Sequence, residues 1–140
     1  MPSKAPTNIN IAKNIIHSIL VMDDEKMIRS IATSMLKHLG YNATACINGE
    51  EAIELYRTAK ESGTPYFAVI MDLIIIGGMG GKDAAEQILR IDPHARLIVS
   101  SGYSDDPVIA DHKKYGFQLS LPKPYRLSDL SIVLNTLHEL

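Results

Sequence analysis

The sequence predicts an α/β domain: a doubly wound, five-stranded parallel sheet in the flavodoxin-like order 2-1-3-4-5, with five helices. Three observations predict it. Short apolar runs at 19–22, 67–71 and 97–99 are unbroken by polar residues, and the length of the 67–71 run suits a strand covered on both faces. Segments with helical spacing of apolar residues follow each strand in turn. Strict strand-helix alternation calls for right-handed crossovers, which leave very few topologies for a parallel sheet.

The elements follow in order. Residues 19–22 form the first strand, ended by Asp23 and Asp24, and Ile28, Ile31, Ala32, Met35, Leu36 and Leu39 line one face of the first helix, stopped by Gly40. Residues 42–46 form the second strand. Asn48 caps a helix carrying Ala52, Leu55, Tyr56 and Ala59, closed by Gly63 and Pro65. The third strand, 67–71, ends at Asp72. After the glycine-rich 77–81 loop, Ala84, Ala85, Ile88 and Ile91 mark a third helix that stops before Pro93, and 97–100 is the fourth strand. Asp106 followed by Pro107 starts a fourth helix that runs to Gly116. Residues 118–121 are the last strand, placed at an edge because Pro122 donates nothing to a ladder. Leu130, Val133, Leu134 and Leu137 mark the final helix.

At 140 residues the chain has room for one folded domain, with residues 1–15 read as a leader or linker and 16–140 as the domain. Lys and Arg number 14 against 16 Asp and Glu, a net charge of -2 that leaves no basic footprint for nucleic acid. Cys46 is the single cysteine, so no intrachain disulfide forms, and its place in NATAC suits a small buried hydrophobe. No stretch reaches the ~18 apolar residues a membrane span needs. The expected setting is reducing and cytoplasmic.

In such sheets ligands bind beyond the carboxyl ends of the strands, at the switch point between strands one and three. Those ends carry Asp23, Asp24, Asp72, Ser100 and Ser101, with Lys123 after strand five. Two carboxylates ~5 Å apart repel by ~3 kcal/mol at an effective dielectric of ~20, and Lys123 supplies one compensating charge. Oxygen ligands of this kind suit a hard cation, magnesium rather than zinc. A metal, a lysine, a hydroxyl and a carboxylate are the parts of phosphoryl transfer, with Asp72, at the end of an apolar strand, as the leading nucleophile. The loop GGMGGK is not a phosphate-binding P-loop, because Ile76 and Asp83 occupy its first and last required positions. A dinucleotide fingerprint fails because DDEKMIR after strand one has no glycine. The histidines at 17, 38, 94, 112 and 138 lack metal-ligand spacing.

The segments SILVMDDE, FAVIMDL, GGMGGKDA, LIVSSGYSDD and LPKPYRLSDL resemble the response-regulator receiver domain of two-component signalling over about residues 17–138. More weakly, GGMGGK and SSGYSDD are similar to receivers attached to hybrid sensor histidine kinases. The resemblance implies that Asp72 accepts a phosphoryl group from a histidine kinase or phosphotransfer protein. It implies that Asp24, Asp72 and the Ile74 carbonyl ligate magnesium, with Asp23 acting mainly through water. It makes Ser101 the switch hydroxyl and Lys123 the phosphoryl-contacting lysine, with a cis Lys123-Pro124 bond. It places an output face, and a possible homodimer contact, on helix four, strand five and helix five, and points to a downstream effector or a parent hybrid kinase as partner. Two positions depart from the family pattern: Ile76 where proline is usual, and Ser120 where an inward-swinging aromatic is usual. The bulk of Ile74 and Tyr103 implies slow self-hydrolysis. A pseudo-receiver that binds partners without phosphorylation is the alternative, and a small magnesium-dependent phosphatase ranks last.

Overall fold

The computed structural model describes residues 15–102 and 106–140. Five parallel strands, β1 (Ser18–Met22), β2 (Asn42–Cys46), β3 (Ala68–Asp72), β4 (Leu97–Ser101) and β5 (Leu119–Pro122), pair in the order β2-β1-β3-β4-β5. Helices α1 (Lys26–His38), α2 (Gly49–Glu61), α3 (Gly81–Ile91), α4 (Pro107–Ala110) and α5 (Leu127–His138) cover both faces. This is the expected doubly wound topology, and strand order reverses beside β1 and β3.

Alternation along the strands divides the core. Leu20, Met22, Val69, Met71, Leu97 and Val99 point one way, packing with Ala52, Ile53 and Tyr56 of α2 and Ala84, Ala85 and Ile88 of α3. Ile19, Val21, Ala68, Ile70, Ile98 and Leu121 point the other way, against Ala32 and Leu36 of α1 and Leu130, Leu134 and Leu137 of α5. All five residues of β3 and of β4 are buried, which is why those runs are apolar up to the polar residues at their carboxyl ends. Burial pushes the Cys46 thiol up to about 12, so it acts as a small hydrophobe, as expected from its sequence context.

The caps behave as their residue types require. Asn48 Oδ1 accepts from the Glu51 N–H at 2.9 Å, and Asp106 Oδ1 accepts from the Val108 N–H at 2.9 Å with Pro107 in the first turn. The fourth helix is the exception to the sequence reading. It is not one element: α4 ends after four residues at Asp111 (φ -125°, ψ 48°), and His112–Tyr115 forms a 3₁₀ turn closed by Gly116 at φ 94°. The His112 ring nitrogen Nδ1 meets the Phe117 carbonyl at 2.9 Å, and this local bond holds the tighter turn. β5 lies at the sheet edge and ends with Pro122, as the missing N–H demands.

Candidate functional site

The carboxyl ends of β1, β3, β4 and β5 form a cleft of about 490 Å³, lined by Asp24, Glu25, Asp72, Ile74, Ile76, Ser101, Gly102 and Lys123. Each side chain arrives by a local cause. Asp72 is the last residue of β3 and is 7% exposed, paired with Ser100 of β4, while the ladder to β1 ends one residue earlier at Met71. Ser101 is the buried last residue of β4, and the Lys123 N–H extends the β4-β5 ladder to the Ser101 carbonyl at 3.0 Å. Asp23 is 2% exposed, and its N–H donates to the Cys46 carbonyl at 3.1 Å.

Lys123 is the hub. Its Nζ lies 2.6 Å from Asp23 Oδ2, a residue 100 positions away in sequence, and 3.0 Å from Asp72 Oδ2, 51 positions away. Burial works against the ammonium, but the bonds to Asp23 and Asp72 outweigh it and hold the Lys123 pKa above its ordinary range. For Asp72 burial is the largest effect. The Lys123 bond and charge and the Ile74 N–H pull its pKa down, the Asp23 charge pushes it up, and the result is a carboxyl above the usual carboxylate range. Tyr125 packs against the apolar cluster on the α1 and α5 side of the sheet, its hydroxyl pushed up to about 12 by burial and then by the Asp23 charge.

Asp24 is exposed at the cleft wall, whereas Asp23 faces inward to Lys123 and also accepts the Glu25 N–H at 2.9 Å on Oδ1. Helix α1 therefore starts without a side-chain cap from either aspartate, which removes the simplest structural reason for the acidic pair. Carboxylate oxygens of Asp23, Asp24 and Glu25 all come within 4.8 Å of one another. Glu25 is a cleft residue that sequence reasoning missed: the signal was the unbroken run Asp23-Asp24-Glu25, in which only the first two were assigned to the strand end. Oxygen donors from Asp24, Glu25 and Asp72 at one cleft, with no thiol or imidazole among its lining residues, suit a hard divalent cation.

The glycine-rich loop positions the β3 end. A Cβ on Gly80 would stand 2.3 Å from the Leu73 carbonyl oxygen, and one on Gly81 would stand 2.8 Å from that of Asp72, so only glycine lets α3 begin this close to the site. Gly77 adopts φ 78°, and the loop is tied to α2 by the Gly49 N–H on the Met79 carbonyl (2.7 Å) and the Met79 N–H on Glu50 Oε1 (3.0 Å). These contacts shape the loop that lacks proline at Ile76, which is 89% exposed. Ser120 lies away from the cleft, in a groove with Leu121, Pro122, Pro124, Asp129, Ile132 and Val133. Lys123-Pro124 is cis. Tyr103 lies outside the described residues.

Comparison with known proteins agrees with this geometry. The chain is 31% identical over 118 residues to the chemotaxis protein CheY of Thermotoga maritima, covering 84% of this chain and 93% of that protein. It is 27% identical over 103 residues to the autoinducer 1 sensor kinase/phosphatase LuxN of Vibrio harveyi, covering 74% of this chain but 11% of that far longer protein. The fold superposes with a TM-score of 0.78 at 20% identity on the receiver domain of a Pseudomonas aeruginosa sensor histidine kinase, covering 90% and 100% of the two chains; that domain holds a magnesium ion in its active-site cleft. Residues 19–135, the whole sheet and nearly all of its helices, match the response regulator receiver domain, and the chain belongs to that family.

Proposed function

We propose that this receiver domain takes a phosphoryl group onto Asp72 from a histidine kinase or phosphotransfer protein. The observation that carries the reading is the convergence of Lys123 on Asp72 and Asp23 beside a cleft that also holds Asp24 and Ser101. A carboxylate buried beside another carboxylate is costly unless a reaction employs it.

In the reaction, an Asp72 carboxylate oxygen attacks phosphorus, the P–N bond to the donor imidazole breaks, and its electron pair stays on that nitrogen. Lys123 balances charge on the phosphoryl oxygens and Ser101 donates a hydrogen bond to one of them. Asp24, Asp72 and the Ile74 carbonyl would hold magnesium, with Glu25 at the same wall and Asp23 turned to Lys123. Bound there, the ion supplies neutralisation of phosphoryl charge. The domain's own chemistry is self-phosphorylation and autodephosphorylation only, and Ile74 at the cleft wall slows the latter by restricting water. The relationship to a sensor kinase supports a hybrid-kinase or phosphorelay setting in the cytoplasm. Signalling passes through α4, β5 and α5, the surface for an effector or a homodimer contact.

The test is incubation with acetyl phosphate or beryllofluoride, with and without magnesium, beside Asp72→Asn. A magnesium-dependent adduct lost in Asp72→Asn is the expected result. No adduct on the parent chain would instead support a binding module that signals without phosphorylation.

A further inference from the structure

β4 ends in two serines, and the first has no role in the chemistry above. Ser100 is 2% exposed, and its hydroxyl, fully shielded, has no hydrogen-bond partner among the described residues. A buried hydroxyl left unpaired is destabilising, so the position carries a standing penalty in this state. Its surroundings indicate where a partner lies. Register places Ser100 beside Asp72 of β3 and beside Leu121 of β5. Side chains alternate along a strand, so Ser100 shares the face of Ile98, as Asp72 shares that of Ile70, Asp23 that of Val21 and Lys123 that of Leu121.

Lys123 follows β5, yet its ammonium reaches Asp72 on β3 and Asp23 on β1. Its stem therefore crosses β4, and on that face the strand presents Ser100. An ammonium has three protons, and Asp23 and Asp72 account for two of them. A small residue is needed beneath the stem, but alanine would meet that need without an orphaned hydroxyl.

We infer that Ser100 is a positioning residue for phosphoryl acceptance: its Oγ accepts a hydrogen bond from Lys123 Nζ when the Asp72 carboxylate turns to an incoming phosphoryl group. The inference rests on the reading of Asp72 as phosphoacceptor. Lys123 then stays aimed across the cleft although one of its two carboxylate partners has been taken up.

Ser100→Ala and Ser100→Thr are compared with the parent chain by thermal unfolding in EDTA and by the rate of adduct formation with acetyl phosphate and magnesium. Ser100→Ala is expected to unfold at the same or a higher temperature, because an unpaired hydroxyl is lost, while accepting phosphoryl roughly tenfold more slowly. Ser100→Thr keeps the hydroxyl and recovers at least half of that loss. A parental rate in Ser100→Ala, equal slowing in both variants, or a lower unfolding temperature for Ser100→Ala would overturn the inference. Asp72→Asn in the same series separates the failures. If it still forms the adduct, the reading of Asp72 falls; if it forms none while Ser100→Ala reacts at the parental rate, only the role of Ser100 falls.

Discussion

Two buried carboxylates, at opposite ends of the sheet, are treated in opposite ways. Asp92, beyond the amino end of β4, resists burial: it accepts the Tyr56 hydroxyl at 2.7 Å and the His94 N–H at 3.0 Å, with Lys60 at 3.9 Å, and its pKa is held below the usual carboxylate range. Asp72, at the carboxyl end of β3, is comparably buried and sits beside a cation, but desolvation and Asp23 leave its pKa above that range. The contrast separates a carboxylate that stabilises the fold from one that the fold holds at a cost. At the first, neutral and charged donors satisfy one acid. At the second, one lysine is shared between two acids, and the imbalance is what a cation would relieve.

The contrast breaks hardest at Lys123. Lys123→Ala leaves Asp23 and Asp72 buried without their shared cation, and removing one partner of a buried pair costs about 3–5 kcal/mol. Urea unfolding at pH 7 without metal measures it. A loss under about 1 kcal/mol, the range of surface pairs, would mean that Lys123 does not hold the site. At the other end, Tyr56→Phe removes the side-chain donor that lies 2.7 Å from Asp92 Oδ2, and it is expected to cost about 1–3 kcal/mol with no change in the rate of adduct formation. A slower adduct in Tyr56→Phe would show that the two ends are coupled.

How much of this was legible in the sequence follows from what sets each feature. Strand ends are fixed by periodicity, so the convergence of Asp23, Asp72 and Lys123 could be read from apolar runs and topology before any distance was known. The break at Asp111 could not, because it depends on a bond from His112 to the Phe117 carbonyl and not on propensity. Nor could the pairing of Tyr56 with Asp92: tyrosine sat on the apolar face of α2 and read as core, while its hydroxyl partner lay thirty-six residues on. Ser100 shows a third kind of gap. Which of two adjacent serines lines the cleft was read from the resemblance of the motif alone, and that the other is buried without a partner requires every neighbour to be in place.

A smaller effect is expected in Asp72→Asn, and its sign is the informative part. Because folding raises the Asp72 pKa, the charged carboxylate is less favourable in the folded chain than in the unfolded one at neutral pH, and a neutral isostere should raise the urea midpoint in EDTA. A lowered midpoint would mean that the Lys123 ion pair outweighs desolvation and the Asp23 charge.

The two ends should also separate on a pH axis. The Asp72 carboxyl binds its proton more tightly folded than unfolded, so its contribution makes stability rise as pH falls through its raised folded pKa toward about 3.9, the ordinary aspartate value, and level off below. Asp92 binds its proton less tightly when folded, so its stabilisation is present above about 3.9 and is lost as pH falls through its depressed folded pKa. The advantage of Asp72→Asn over the parent should therefore shrink between neutral pH and about 4, where that of the parent over Tyr56→Phe still holds. Below about 4 the order reverses: the Asp72→Asn difference is already spent, and the Tyr56→Phe difference narrows as Asp92 protonates. Urea midpoints in EDTA at steps from pH 7 to 3 measure both. Parallel curves for the parent and both variants would mean that neither carboxylate titrates differently on folding, and the distinction between the two ends of the sheet would fall with it.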